Sequence, residues 1–304
     1  MRAGPIVLIL TALVVSRASG VTYTTLDNPA GTSTTLTGIS GNNIVGFYVD
    51  SSNVNHGFLY NGSTFTPLDD PLAGTGASQG TFAEGIDGNN IVGYYVDSSN
   101  VDHGFLYDGS TYTTLDDPAG TGTQAYGISG NKIVGASNVS SLFSVSGFLF
   151  DGTNYSPIND PQGLEGTIAY GISGSTIVGS FQPFQRGFTY DGSTYTTING
   201  PPSADLSQAR GISGDKIVGS YLDNPTAFGF VYDGSHYTKV ADPLATGDTQ
   251  ALGIFGNTVV GFYEVGNVDH GFMATVPEPS TAALLILGAL GVATLMRRKP
   301  RPII

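Results

Sequence analysis

The chain has 304 residues, with Gly 44, Tyr 16 and Phe 16 but neither Cys nor Trp. That length buries a core without cross-links, and the missing cysteine excludes thiolate zinc sites, thiol nucleophiles and iron–sulfur clusters. A hydrophobic share of 40% and a glycine pattern without a three-residue period exclude disorder and collagen, and the net charge of −13 argues against nucleic acid and anionic lipid as partners.

In chain order, the first element is a signal peptide over residues 1–20. Met1-Arg2 precedes an apolar run from Pro5 to Val15, and Ala18-Ser19-Gly20 offers the small residues that signal peptidase reads, so cleavage after Gly20 is expected. Next comes Thr22-Tyr23-Thr24-Thr25-Leu26, a strand that duplicates Thr111-Tyr112-Thr113-Thr114-Leu115 further along. The remainder of residues 21–275 is a repeat. Gly-Ile-Ser-Gly or a close variant starts at Gly38, Gly85, Gly127, Gly171, Gly211 and Gly253, at intervals of 47, 42, 44, 40 and 42 residues. Each copy continues with Ile-Val-Gly or Val-Val-Gly and a Gly-Phe pair, and five then carry an aromatic-[Asn/Asp]-Gly turn and a Thr/Tyr-rich run.

One unit reads as four antiparallel strands. In the third copy these are strand A (Gln124 to Ile128), strand B (Lys132 to Gly135), strand C (Ser146 to Phe150) and, after an Asp151-Gly152 hairpin, strand D. Four short strands in some 40 to 47 residues indicate a propeller blade. The sixth copy stops at Thr275 without a strand D, and the N-terminal strand supplies one. The expected fold is all-β: a six-bladed β-propeller closed by an N-terminal outer strand, with the signal peptide and a short C-terminal membrane helix outside it. Without its two ends the body keeps five basic and 23 acidic residues, a charge near −18.

Residues 276–304 form the last element. Val276, Pro277, Glu278 and Pro279 lead into an apolar segment, residues 282–296, followed by Arg297, Arg298 and Lys299. The segment is shorter than the ~20 residues that span a bilayer comfortably, and the basic cluster holds its end on the cytoplasmic side. This tripartite tail resembles the PEP-CTERM sorting signal of Gram-negative bacteria. The resemblance implies recognition by an exosortase, tail removal and delivery to the cell surface or an exopolysaccharide matrix, with membrane contact only through the tail before processing. The body, through Ala-x-Gly-Ile-[Ser/Asp]-Gly, Ile-Val-Gly and His-Gly-Phe-Leu-Tyr-x-Gly, resembles the extracellular HAF repeat, with Gly in place of its Ala. That family implies an extracellular repeat protein and supplies no catalytic residues.

Candidate site residues are histidines and carboxylates. His56, His103 and His270 share one position on strand C, too far from the axis for equivalent atoms to meet on one zinc ion. Each is expected to bond to backbone or to a neighbouring blade. The B–C and D–A loops share one face and carry Asp50, Asp97, Asp102, Asp116, Asp117 and Asp269. These carboxylates suit either a solvated surface or calcium, and no cofactor is otherwise indicated. No nucleophile elbow, HExxH or phosphate loop occurs, and the mature body holds only Glu84, Glu165 and Glu264 besides its aspartates. A non-catalytic binding or structural module associated with exopolysaccharide is therefore expected, the alternative being a glycan hydrolase or lyase on a propeller scaffold.

Overall fold

The computed structural model describes residues 20–137, 145–183, 185–201, 204 and 206–277, so the signal peptide but for Gly20, the segment 282–296 and Glu278, Pro279, Arg297, Arg298 and Lys299 lie outside the described residues. Among the described residues there are 24 strands and no helix, hence no helix long and apolar enough to cross a membrane. All strands fall in one compact unit, Thr22–Val276.

The first strand is β1 (Thr22–Thr25). The first repeat gives β2 (Ser33–Ser40), β3 (Asn43–Val49), β4 (Asn55–Tyr60) and β5 (Phe65–Leu68); the second gives β6 (Gly80–Asp87), β7 (Asn90–Val96), β8 (Asp102–Tyr107) and β9 (Tyr112–Leu115). The third gives β10 (Thr123–Ser129), β11 (Lys132–Ser137), β12 (Ser146–Phe150) and β13 (Tyr155–Ile158), and the fourth β14 (Gly166–Ser173), β15 (Thr176–Gln182), β16 (Arg186–Tyr190) and β17 (Tyr195–Ile198). The fifth comprises β18 (Leu206–Ser213), β19 (Lys216–Asp223), β20 (Thr226–Tyr232) and β21 (Tyr237–Val240), and the last β22 (Thr249–Phe255), β23 (Thr258–Val265) and β24 (Val268–Thr275).

Pairing follows chain order inside each repeat. Strands β10–β13, β14–β17 and β18–β21 form separate four-stranded antiparallel sheets; β2–β5 and β6–β9 pair in the same way but join into one sheet through a single parallel bridge, Asn55 to Gly80. The last repeat borrows its outer strand, since β1 lies antiparallel to β24 with Thr22 opposite Thr275 and Thr25 opposite Phe272. Closure by the N-terminal strand is thus as the duplicated Thr-Tyr-Thr-Thr-Leu pattern implies.

The core lies between consecutive sheets. Val45 and Leu68 of the first repeat pack on Ala83, Ile86, Ile91 and Phe105 of the second, and at the seam Leu36, Ile39, Ile44 and Phe58 pack on Val260. The phenylalanine of each Gly-Phe pair (Phe58, Phe105, Phe148, Phe188, Phe230, Phe272) is fully buried, a burial contributing about 1.5–3 kcal/mol per side chain. At the innermost edge the repeated glycines touch in a circuit. A Cβ on Gly127 would fall 2.8 Å from the Tyr170 carbonyl oxygen and 3.0 Å from Gly171 Cα, with the same relation running from Gly38 to Gly85, on through Gly171, Gly211 and Gly253, and from Gly253 back to Gly38. Sheets set face to face around such a closed axis make an all-β propeller.

Two local readings change. The Asp-Gly connection from strand C to strand D is not a two-residue hairpin: Tyr107 pairs with Tyr112 across four residues, and Asp108 Oδ1 accepts the amides of Ser110 and Thr111. A carboxylate that caps two amides stabilises the longer loop without a strict primed turn. The two-residue turn is instead that between strands A and B, where Ser129 pairs with Lys132 and Gly130 takes φ 61.

Candidate binding site in the axial channel

Every strand A carries a β-bulge just before its axial glycine. Pairing skips one residue in each, leaving Thr37, Glu84, Tyr126, Tyr170, Arg210 and Leu252 without a partner on strand B. A bulge re-aims the extra side chain, and here all six turn into the channel, where they enclose a cavity of about 60 Å³. The repeat fixes the glycine because backbones meet there; it leaves the preceding residue free, and five different chemistries result at the six positions.

An aromatic series leads through the neighbouring strands to Tyr126 and Tyr170 of the channel lining. Phe47 meets Phe82 edge-on at 4.9 Å, Phe82 stacks on Tyr94 at 4.5 Å, Tyr94 faces Tyr126 at 6.4 Å, and Tyr126 lies 5.2 Å from Tyr170. The series ends on a cation, with the Arg210 guanidinium carbon 4.0 Å over the Tyr170 ring. Arg210 Nε is buried with no hydrogen-bond partner. Burial pushes the Glu84 carboxyl up to about 8, against the opposing pull of Arg210, so Glu84 mostly keeps its proton at neutral pH. Burial likewise drives the Tyr94 and Tyr126 hydroxyls well above their ordinary range, and both stay neutral. The Tyr126 hydroxyl donates to Gln124 Oε1, and Gln124 Nε2 donates to Asp102 Oδ2 at 2.8 Å.

Asp102 is thus the expected loop carboxylate that reaches the channel's network, and its own pKa is raised by burial, with Gln124 opposing. The others serve the rim. Asp50 Oδ1 accepts the amides of Ser52 and Val54, and Asp97 Oδ1 those of Ser99 and Val101; these bonds hold both carboxyls below the usual range. Asp116 Oδ2 lies 2.9 Å from His103 Nδ1. Asp117 is buried, its amide donating to Thr123 Oγ1 and its Oδ1 accepting from the Ala119 amide. Asp269 is half-buried, with its carboxyl pushed up by burial and by Glu264. Among the described residues no group of three or more His, Asp or Glu is arranged to hold a metal ion.

The three equivalent histidines do not bond to backbone or to a neighbouring blade. His56 Nδ1 lies 3.1 Å from Asp69 Oδ2, His103 from Asp116, and His270 2.8 Å from Asp27 Oδ2. The reason is antiparallel pairing, which sets the start of strand C beside the end of strand D in the same sheet. Each ring also stacks on a tyrosine of strand B: Tyr48, Tyr95 and Tyr263.

The bulge residues stand at the unspecified position of Ala-x-Gly-Ile, so the repeat motif does not mark them. A position that varies inside an otherwise fixed repeat was the available signal.

Sheets closed around an axial channel define the class, an all-β propeller. Residues 275–301 match the PEP-CTERM protein-sorting motif, which implies processing by an exosortase and export to the cell surface. A search of curated proteins found no match. Among solved structures the chain is similar to Aleuria aurantia lectin in complex with Fucα1-6GlcNAc (14% identity, 82% of this chain and 97% of that one, TM-score 0.47). It is also similar to YCF48 bound to D1 peptide (13%, 85% and 95%, 0.45) and to an oligogalacturonate lyase in complex with manganese (10%, 85% and 97%, 0.41). At these identities and TM-scores none of the three bears on function.

Proposed function

We propose that this protein is an exported propeller of six blades that is held at the cell surface or in its exopolysaccharide matrix, binds its partner through the axial channel and performs no chemistry. The count of six takes the two halves of the eight-stranded sheet, linked by one bridge, as separate blades. The observation that carries the binding site is the bulge position: the repeat is kept almost everywhere, yet Thr37, Glu84, Tyr126, Tyr170, Arg210 and Leu252 all face one space with five side-chain chemistries. Ligand sites are concave and set by a few polar groups beside apolar or aromatic ones, which describes Arg210 and Glu84 beside Tyr126, Tyr170 and Leu252.

Binding is favoured over glycan cleavage because hydrolysis needs two converging carboxylates, and Glu84 is the lone carboxylate among the six. Signal peptidase and an exosortase would act during export, with the segment 282–296 as a transient anchor. Calcium on the loop face is not needed for this reading. The test is retention of the purified protein on exopolysaccharide extracted from producing cells. Tyr126→Phe with Arg210→Gln should abolish retention while Asp50→Asn with Asp97→Asn leaves it unchanged; retention by the axial variant equal to that of the parent would overturn the reading.

A further inference from the structure

Beside the axial ring, under the long-loop face of the fifth repeat, lies a cavity of about 240 Å³ whose inner end is Arg210. Gln208 and Gln250 come from adjoining strands A, Ser220 from β19 and Gln185 from just before β16, and together they give it neutral donors and acceptors. We propose that this cavity binds one carboxylate-bearing sugar, a uronic acid residue of a glycan, with its carboxylate on Arg210 and its hydroxyls on the amides and Ser220. The proposal rests on the axial binding reading and names the ligand's chemical class.

Three features argue for an anion. Arg210 is one of five basic residues in a body with 23 acidic ones, yet its guanidinium sits in the channel, where a buried charge normally has a counter-charge. Tyr170 covers one face of that guanidinium, and the buried Nε has no acceptor, so the guanidinium keeps an unsatisfied donor of the kind a carboxylate satisfies. Glu84 does not fill the role while it holds its proton. None of the described residues lining the cavity carries a carboxylate that would repel an anion, and Asp248, near its wall, has one carboxylate oxygen on the Ala227 amide at 2.9 Å.

Two features argue for a sugar rather than a bare acid. The volume falls below the roughly 300–1,000 Å³ of pockets for drug-sized ligands and suits a single ring. Three amide side chains and a hydroxyl are more polar groups than a small carboxylate alone can satisfy, and a polyol uses them all.

The experiment is titration calorimetry of the purified protein with glucuronate and galacturonate, with glucose and galactose, and with acetate. The proposal expects a uronate to bind about tenfold or more tightly than its neutral counterpart, and Arg210→Gln to bring the two level. The comparison of sugars on the unaltered protein does not depend on whether the variant folds. Equal affinity for uronates and neutral sugars, or no binding by uronates, overturns the proposal. Acetate binding as tightly as a uronate overturns its sugar part. Either result with exopolysaccharide retention still lost in Tyr126→Phe with Arg210→Gln leaves the axial reading in place; retention unchanged in that variant removes both.

Discussion

The rim of the propeller repeats itself and the axis does not. On the rim, His56, His103 and His270 each sit between a tyrosine ring and an aspartate, and the D–A loops reuse one turn in which Asp70, Asp117, Asp160 and Asp242 accept the amide two residues on. At the axis, the one residue that each bulge turns inward is drawn from five types of chemistry. Repetition marks what every sheet needs in order to fold; its local failure marks what only the whole ring can use.

The comparison breaks most visibly between Gly135 of β11 and the bulge residue Tyr126 of β10, beside Gly135's partner Ala125. A Cβ on Gly135 would stand 2.1 Å from the Gln124 carbonyl oxygen and 2.6 Å from Phe148 Cζ, so Gly135→Ala should cost about 4 kcal/mol or abolish soluble protein. Tyr126→Leu, which places at the axis the residue already found at 252, gives up one hydrogen bond and two ring contacts and should cost about 1–2 kcal/mol. Thermal or urea unfolding of both variants checks the contrast, and equal losses would put structural demands at the axis too.

Removal of Thr22–Thr25 comes next. It strips β24 of its partner and takes away Tyr23, whose ring meets Phe272 at 5.9 Å and whose hydroxyl accepts the Ala241 amide at 2.8 Å. A loss of about 3 kcal/mol is expected, well above that for removing four residues of a B–C loop. Stability equal to that of the parent would mean that the ring does not depend on its borrowed strand.

Glu84 offers a pH-dependent test of the axis. Its ordinary value is 4.5 and its folded value about 8, so between these the unfolded chain has lost a proton that the folded chain keeps. The contribution is absent below pH 4.5, stability falls as pH rises through the window, and the loss is complete above pH 8. Since Glu84 is only partly buried, the loss is about 1–2 kcal/mol, a discounted share of what the shift implies. Glu84→Gln should remove this slope from urea unfolding measured between pH 5 and pH 8; an unchanged slope would mean that the carboxyl is ionised in the channel. The smallest effect belongs to the rim, where His103→Gln trades one exposed hydrogen bond to Asp116 for another and should cost under about 1 kcal/mol by thermal unfolding, with exopolysaccharide retention unaltered.

The repeat made much of the fold legible. The glycine spacing gave the strands, and the match between Thr22–Leu26 and Thr111–Leu115 located the missing partner of β24. The Asp-Gly dipeptides were read too locally, because a carboxylate that caps two amides supports a four-residue connection with the same letters. The histidine partners were missed since they are 13 residues away for His56 and His103 and 243 for His270, brought close only by antiparallel pairing or by closure. The axial site was least legible. Its six residues span five types, and a bulge turns the side chain inward at a position that strand alternation alone does not assign.

The most direct test of bulge side chains that serve binding more than folding is to make them uniform. Glu84→Leu, Tyr126→Leu, Tyr170→Leu and Arg210→Leu together would match Leu252 at five of the six bulges, with Thr37 kept because its hydroxyl donates to the Ala83 carbonyl of the next repeat at 2.7 Å. Exopolysaccharide retention and thermal unfolding of that variant should show a folded protein of nearly parental stability that no longer binds; an unfolded chain, or a folded one that binds as before, would contradict the account.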